Sequence, residues 1–187
     1  RARGGTATAL IVDHGIRENS RREAEAVAVY LAECGMACEI LRNRAQIGTG
    51  DIQAAARKVR YELLQRWCLV NKNLHLAVAH HQEDQAETLL HRLGRQTGAD
   101  GLAGMARVRE TNHVRLLRPC LDITKTRLRA VIKRYNLEWV EDPSNLDLAY
   151  ARVRLRKLLP SLEAERISPA SLAGTARRLA SVRKTLE

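Results

Sequence analysis

One pattern constrains this chain more than any other: a short apolar run followed by an amphipathic helix, three times over. Ala7 to Val12 is an apolar run read as a buried strand, and it ends in Asp13-His14-Gly15. Ser20-Arg-Arg-Glu23 then forms a capping box, with a hydroxyl at the cap and a carboxylate three residues on. Ala24, Val27 and Leu31 recur at helical spacing, and Gly35 closes the helix. Ala37 to Leu41 is the second strand. Asp51 caps a second helix with Ile52, Ala55, Val59 and Leu63 on one face. Leu74 to Ala79 is the third strand, and a helix from Gln82 to Leu93 buries Ala86, Leu89, Leu90 and Leu93. This alternation predicts an α/β fold with a parallel, Rossmann-like sheet covered by helices on both faces.

The rest of the chain departs from that rhythm. Gly94, Gly98, Gly101 and Gly104 mark a glycine-rich loop, and Val114 to Leu117 reads as a fourth strand. Leu128, Val131, Ile132 and Tyr135 mark another helix. Trp139-Val-Glu-Asp-Pro-Ser-Asn145 is turn-rich. Two helices finish the chain, the last opened by Ser168-Pro169 and striped by Leu172, Ala176, Leu179 and Val182. The domain reading is a catalytic part over residues 1–146 and a helical extension over 147–187.

Composition narrows the partners. The 187 residues carry a formal charge of +11 with an isoelectric point near 10.2, and arginine supplies most of the excess. That balance fits a polyanion such as RNA or DNA; the plainer alternative is a basic surface that aids solubility. Aromatics make up only 3%, with no Phe, so the core is built of Leu, Val, Ile and Ala. No apolar run reaches the length of a membrane span, and a cytoplasmic location is expected. Cys34, Cys38, Cys68 and Cys120 read as reduced, semi-buried thiols with no zinc spacing.

Ligands of open parallel sheets bind beyond the carboxyl ends of the strands. Three polar clusters fall there. His80-His81-Gln-Glu-Asp84-Gln-Ala-Glu87-Thr88 follows the third strand, and spacing of four sets His80 and Asp84 on one side of a helix with Glu87 near. An imidazole with two carboxylates can receive an amine, hold a cation or move a proton; acids in a first turn also simply complement the helix dipole. Asp13-His14-Gly15 with Arg17 follows the first strand, as a nucleotide contact or a plain turn. Arg57 and Arg60 stand on the second helix, as anion ligands or a solvated face. Further on, Arg118 and the alternating Arg152, Arg154 and Arg156 have the planar forks that suit phosphate. There is no Walker loop and no dinucleotide fingerprint.

Taken in order, these pieces resemble the tRNA(Ile)-lysidine synthetase family of PP-loop ATP-pyrophosphatases. The resemblance is carried by Val12-Asp-His-Gly-Ile-Arg17, Gln53-Ala-Ala-Ala-Arg57-Lys-Val-Arg60-Tyr61 and Ala79-His-His-Gln-Glu-Asp-Gln-Ala-Glu-Thr88, which is similar to the family's HHxxDQxET signature. Gly98-Ala-Asp-Gly-Leu-Ala-Gly-Met105, Leu116-Leu-Arg-Pro119 and Trp139 to Asn145 follow in the family's order. The resemblance implies a cytoplasmic ligase that uses ATP, with Mg²⁺, to adenylate C2 of the wobble cytidine of a tRNA(Ile) with a CAU anticodon. The side-chain amine of free L-lysine then attacks C2, and AMP departs.

It also implies roles. His80 and Arg60, or Arg57, would face the adenylate phosphate; Asp84 and Glu87 would orient lysine and assist loss of its proton. Asp13, His14, Gly15 and Arg17 would meet the nucleotide, and Arg118, Arg152, Arg154 and Arg156 would track the RNA backbone. The family's SGGxDS loop, which grips pyrophosphate through backbone N–H groups, is not in these residues, and Gly4-Gly5 does not replace it. The chain therefore reads as a fragment of the enzyme, inactive alone and dependent on an upstream segment for stability. Two other readings stand beside this one: a tRNA thiolation enzyme of the same superfamily, and a non-catalytic RNA-binding module.

Overall fold

The computed structural model describes residues 5–15, 19–43, 52–137, 139 and 147–186. The chain divides into two compact units, residues 1–76 with 111–114, and residues 77–110 with 115–187.

The first unit holds the expected parallel pair. β1 (Thr8–Asp13) and β2 (Ala37–Arg42) run parallel in register from Thr8 opposite Ala37 to Asp13 opposite Arg42. Between them α1 (Ser20–Glu33) returns the chain and packs on both strands through buried Ala24. The capping box expected at Ser20 does not form. Asn19 is the N-cap with no side-chain cap bond, and Ser20 is the first helical residue. Its hydroxyl instead donates to Asp13 Oδ1 at 2.7 Å, tying the helix start to the strand end. The second helix, α2 (Ile52–Val70), buries Ala56, Leu64 and Cys68. Its buried line lies one residue round from the face expected, which leaves Ile52 39% exposed. The expected cap at Asp51 falls outside the described residues.

The second unit is organised around α3 (Gln82–Leu93). β3 (His75–Ala77) leads into it, and Val78 N–H donates to Leu117 O at 2.9 Å. A three-stranded sheet runs β3-β5-β4, where β4 (Val108–Glu110) and β5 (Arg115–Leu117) form an antiparallel hairpin. The fourth strand read from sequence is thus the second arm of a hairpin. Its first arm, Val-Arg-Glu, is exposed at all three positions and shows no alternation of apolar and polar residues. Thr111 closes the turn: its hydroxyl donates to Val114 O at 2.8 Å and accepts from Val114 N–H at 3.1 Å.

Around α3 lie α4 (Ala99–Leu102), α6 (Ala151–Ala164) and α7 (Pro169–Leu186), and α4 also packs on α7. Ser168 caps α7 as expected, accepting from Ser171 N–H at 3.1 Å. Ala173 and Ala176 are buried, and such small side chains let α7 approach closely. α5 (Lys125–Arg134) is capped by Thr124, which accepts from Arg127 N–H at 3.2 Å. Several apolar positions read as core are open: Leu93 is 57% exposed, Tyr135 68% and Val182 57%. The cysteines are free thiols, from buried Cys68 to exposed Cys34.

A glutamine fixes the glycine-rich loop to α3. Buried Gln85 donates to Met105 O at 3.1 Å and accepts from Met105 N–H at 2.8 Å, as a strand neighbour would. Gly104 makes that approach possible: its φ is +68°, and a Cβ there would lie 2.8 Å from Gln85 Nε2. Gly104→Ala is therefore expected to lower unfolding free energy by at least about 1 kcal/mol. Gly94→Ala, at φ −65° with ordinary contacts, should change it by less than about 0.5 kcal/mol. Denaturant midpoints of the two variants check this.

Candidate functional site

In the first unit the turn after β1 gathers Asp13, His14 and Gly15. Asp13 is buried, and its Oδ1 accepts from Gly15 N–H at 3.0 Å as well as from Ser20. Gly15 takes φ +65°, which suits a residue without Cβ. Asn43, just past β2, donates its N–H to Asp13 O at 2.9 Å and its amide to His14 O at 3.4 Å, so the two strand ends are stitched together.

Arg60, 46 residues away on α2, reaches this turn. Its Nε and Nη2 lie 3.2 and 3.1 Å from His14 Nε2. A guanidinium has only donors, so Nε2 is the accepting nitrogen and the proton of the neutral ring sits on Nδ1. Burial first, then the Arg60 charge, hold the His14 pKa below its ordinary 6.5, against the pull of Asp13. Arg57 stands one turn back, half-buried, with its guanidinium 5.1 Å over the Tyr61 ring. The structure thus brings Asp13, His14, Gly15 and Arg60 together and leaves Arg57 stacked on its own helix. Arg17 lies outside the described residues.

In the second unit the polar motif opens α3, and here the helical geometry inferred from spacing changes. His81 is the N-cap and the helix begins at Gln82, so His80 stands in extended chain before it instead of one turn below Asp84. His80 is half-buried. Asp84 Oδ2 accepts from His81 N–H at 3.0 Å, satisfying a donor that the helix leaves open. The His81 ring lies between two acids, Nδ1 2.9 Å from Glu83 Oε2 and Nε2 3.5 Å from Asp84 Oδ2. Glu83 also reaches across to α5, where both its oxygens accept from Lys125 N–H, at 3.0 and 2.9 Å. Thr88 donates back to Asp84 O at 2.7 Å.

Glu87 is the most deeply buried acid among the described residues, with its side chain 0% exposed. It is held by Arg156 of α6, whose Nε lies 2.7 Å from Oε1 and Nη2 3.3 Å from Oε2. The hydrogen bond to Glu87 raises the Arg156 pKa, burial works against it, and the charges of Glu87, Asp84 and Glu83 add to the rise. The three alternating arginines lie on a helix and so point different ways. Arg156 meets Glu87, Arg154 donates to the carbonyls of Leu148 and Ala149 at 2.7 Å each, and Arg152 stands half-buried in the first turn. Arg118, 5% exposed, donates to Ala106 O at 2.6 Å. The segment Asp142 to Asn145 is outside the described residues.

Sequence reasoning missed what Glu83 and Gln85 do, and it missed that Arg156 answers Glu87. A glutamine or glutamate inside a stretch of buried helical positions was the available signal. Among the described residues, no three His, Cys, Asp or Glu side chains converge as a metal site. The donors among the described residues do not make an all-protein cage for Mg²⁺. Among those residues also, no helix is long and apolar enough to cross a membrane.

Two outcomes are expected. His14 binds a proton less readily folded than unfolded, so its contribution to stability is complete above pH 6.5 and is lost as pH falls from there through its folded pKa. Arg60→Ala should move the His14 pKa upward, read from its imidazole NMR titration. Glu87→Leu should cost about 1–3 kcal/mol, below the usual 3–5 for a broken buried pair because Arg156 keeps some solvent. A double-mutant cycle with Arg156→Leu should recover part of that loss.

The PP-loop domain family matches residues 2–162. A tRNA(Ile)-lysidine synthase of Bradyrhizobium diazoefficiens is 42% identical over 186 residues, which is 100% of this chain and 52% of the relative. One of Ruegeria pomeroyi is 43% identical over 176 residues, 94% of this chain and 42% of the relative. The chain thus spans about half the length of the curated relatives it matches. Among solved structures, a U34-tRNA thiolase, NcsA, from Methanococcus maripaludis with its 4Fe-4S cluster superposes with a TM-score of 0.78 at 18% identity. The match covers 94% of this chain and 63% of the thiolase, and at that identity it speaks for the fold.

Proposed function

The chain belongs to the PP-loop domain family, and on that footing we propose that it is core sequence of a cytoplasmic tRNA(Ile)-lysidine synthase. ATP and a tRNA(Ile) with a CAU anticodon are its substrates, with free L-lysine as the third. The C2 oxygen of the wobble cytidine attacks the α-phosphorus of ATP, and pyrophosphate leaves. The lysine side-chain amine then adds to C2 and gives up a proton, and the C–O bond breaks to release AMP. Residues 1–146 are the catalytic part in this reading, and 147–187 a helical extension that supports α3 through α6 and α7.

The observation that carries the reading is the similarity to relatives of that name, 42% and 43% identical over 100% and 94% of this chain. The geometry supports a division of labour. Cations and fixed donors stabilise charge growing on a transferring phosphoryl group. Arg60 suits that work, while Arg57 is the less available of the two arginines; His80 is proposed for it on the motif alone. Asp13 and Gly15 shape the nucleotide-facing turn, and neutral His14 offers a hydrogen-bonding ring; Arg17 would join them. Asp84 is the acid to receive the lysine amine and assist its deprotonation. Glu87 is sealed behind it and acts through Arg156 as a positioning pair. Arg152 and Arg154 remain the arginines assigned to the RNA side; Arg118, expected there too, is 5% exposed and bonds Ala106 O within its own unit.

The thiolase alternative has likeness of fold behind it, at 18% identity. Asp84→Asn separates the ligase from a pure RNA binder. The amide oxygen can still accept from His81 N–H, so the fold should hold. In the protein expressed from its complete reading frame, lysine incorporation into the tRNA should fall at least about 100-fold, the scale of a lost acid–base group, with tRNA Kd unchanged. Full incorporation by this variant would sink the assigned role of Asp84. Failure of the unmodified protein to transfer labelled lysine would sink the function.

A further inference from the structure

The far end of α3 collects charge that the motif does not use. His91 and Arg92 form its last turn and Arg95 follows it; Arg152 stands in the first turn of α6 and Arg183 in the last turn of α7. α3 packs against both α6 and α7, and the charge of Arg152 reaches His91 and Arg92 while that of Arg183 reaches Arg92. Arg92 is the fixed member. It is half-buried, and its Nη1 donates to the carbonyls of Gly101 and Gly104. Burial lowers the pKa of both His91 and Arg92, and the charges acting on them are all cationic: Arg95, Arg152 and Arg92 on His91, and Arg152 and Arg183 on Arg92.

Helix dipoles account for only part of this arrangement. Cations in the last turns of α3 and α7 face the negative ends of those helices. Arg152 does not, because the first turn of α6 is the positive end of its dipole. The packing therefore holds like charges within reach of one another at a place where the backbone does not compensate them all, and a shared anion would offset the repulsion.

We propose that this cluster seats the backbone phosphates of an RNA, with Arg95, Arg152 and Arg183 gripping phosphate oxygens beside the anchored Arg92. One or two guanidinium forks satisfy a single phosphate; four guanidinium groups at or just past the ends of three helices match successive phosphates of a chain. The inference rests on the reading of this protein as one that modifies tRNA, and it adds Arg92, Arg95 and Arg183 to the surface that the tRNA meets.

The test uses the protein expressed from its complete reading frame, and a labelled tRNA(Ile) with the CAU anticodon titrated across a salt series. Arg95→Ala and Arg183→Ala are each expected to weaken binding about 3- to 10-fold and to reduce the slope of log Kd against log salt by about one. Arg95→Lys should keep the slope, and Arg22→Ala, an exposed arginine on α1, should change neither quantity. Unchanged slopes in both alanine variants overturn the proposal, as does an Arg95→Lys variant no better than Arg95→Ala. If inorganic pyrophosphate binding falls in the variants while the tRNA slope stays, the cluster is a small-anion site and the RNA proposal fails. Lysine incorporation by the unmodified protein is measured alongside. Incorporation with unchanged slopes removes the phosphate seat alone; reduced slopes without incorporation keep the seat and remove the ligase reading.

Discussion

The pair between Glu87 and Arg156 is the interaction on which the second unit depends. A carboxylate with no solvent exposure is strongly unfavourable unless a cation and hydrogen bonds replace its water. Glu87 finds its cation 69 residues further along the chain, on α6. The pair therefore does more than neutralise a charge. It fixes the rotation of α3 about its axis and the distance to α6, and with these the side from which Asp84, one turn earlier, is presented. Replacing the pair by apolar groups could preserve stability and would still lose that orientation.

The other polar side chains of α3 work in the same way at shorter range. Glu83 receives the first N–H of α5, Gln85 pairs with both backbone groups of Met105, and Arg92 holds the carbonyls of Gly101 and Gly104. The start of α5 and the glycine-rich loop through Met105 are thus fixed on one helix by groups that would be costly to bury unbonded. This explains how a helix with five consecutive buried residues, three of them polar, is stable. It also explains why a motif that reads as chemistry is at the same time the scaffold of its unit. In the first unit Asp13 plays the corresponding part, joining β1, the turn and α1 through one oxygen.

Much of the architecture was legible in the residues. The apolar runs before Asp13 and before Asn43 became the parallel pair, and the helical stripe of Ala24, Val27 and Leu31 gave α1. The misses have specific causes. Ser20 reads as a cap because its spacing to Glu23 is right, but a nearby buried carboxylate competes for its hydroxyl. Strand β4 was silent because Val108, Arg109 and Glu110 are all exposed and it is held by the ladder to β5. His80 and Asp84 were placed on one helical face because spacing was counted through a boundary; the helix begins two residues after His80.

By itself the sequence determined the element types, the parallel start of the sheet and the residues from which a site could be built. Periodicity, glycine positions and residue chemistry are local properties that need no partner to be read. Only the tertiary structure decided how the charges are matched. Whether an arginine faces a carboxylate, a carbonyl or another arginine depends on which helix ends meet, and nothing in local spacing reports it. Arg156 on Glu87, Arg60 on His14, and Arg152 among other cations are therefore facts of packing, because Coulomb interactions act through space between residues far apart in the chain.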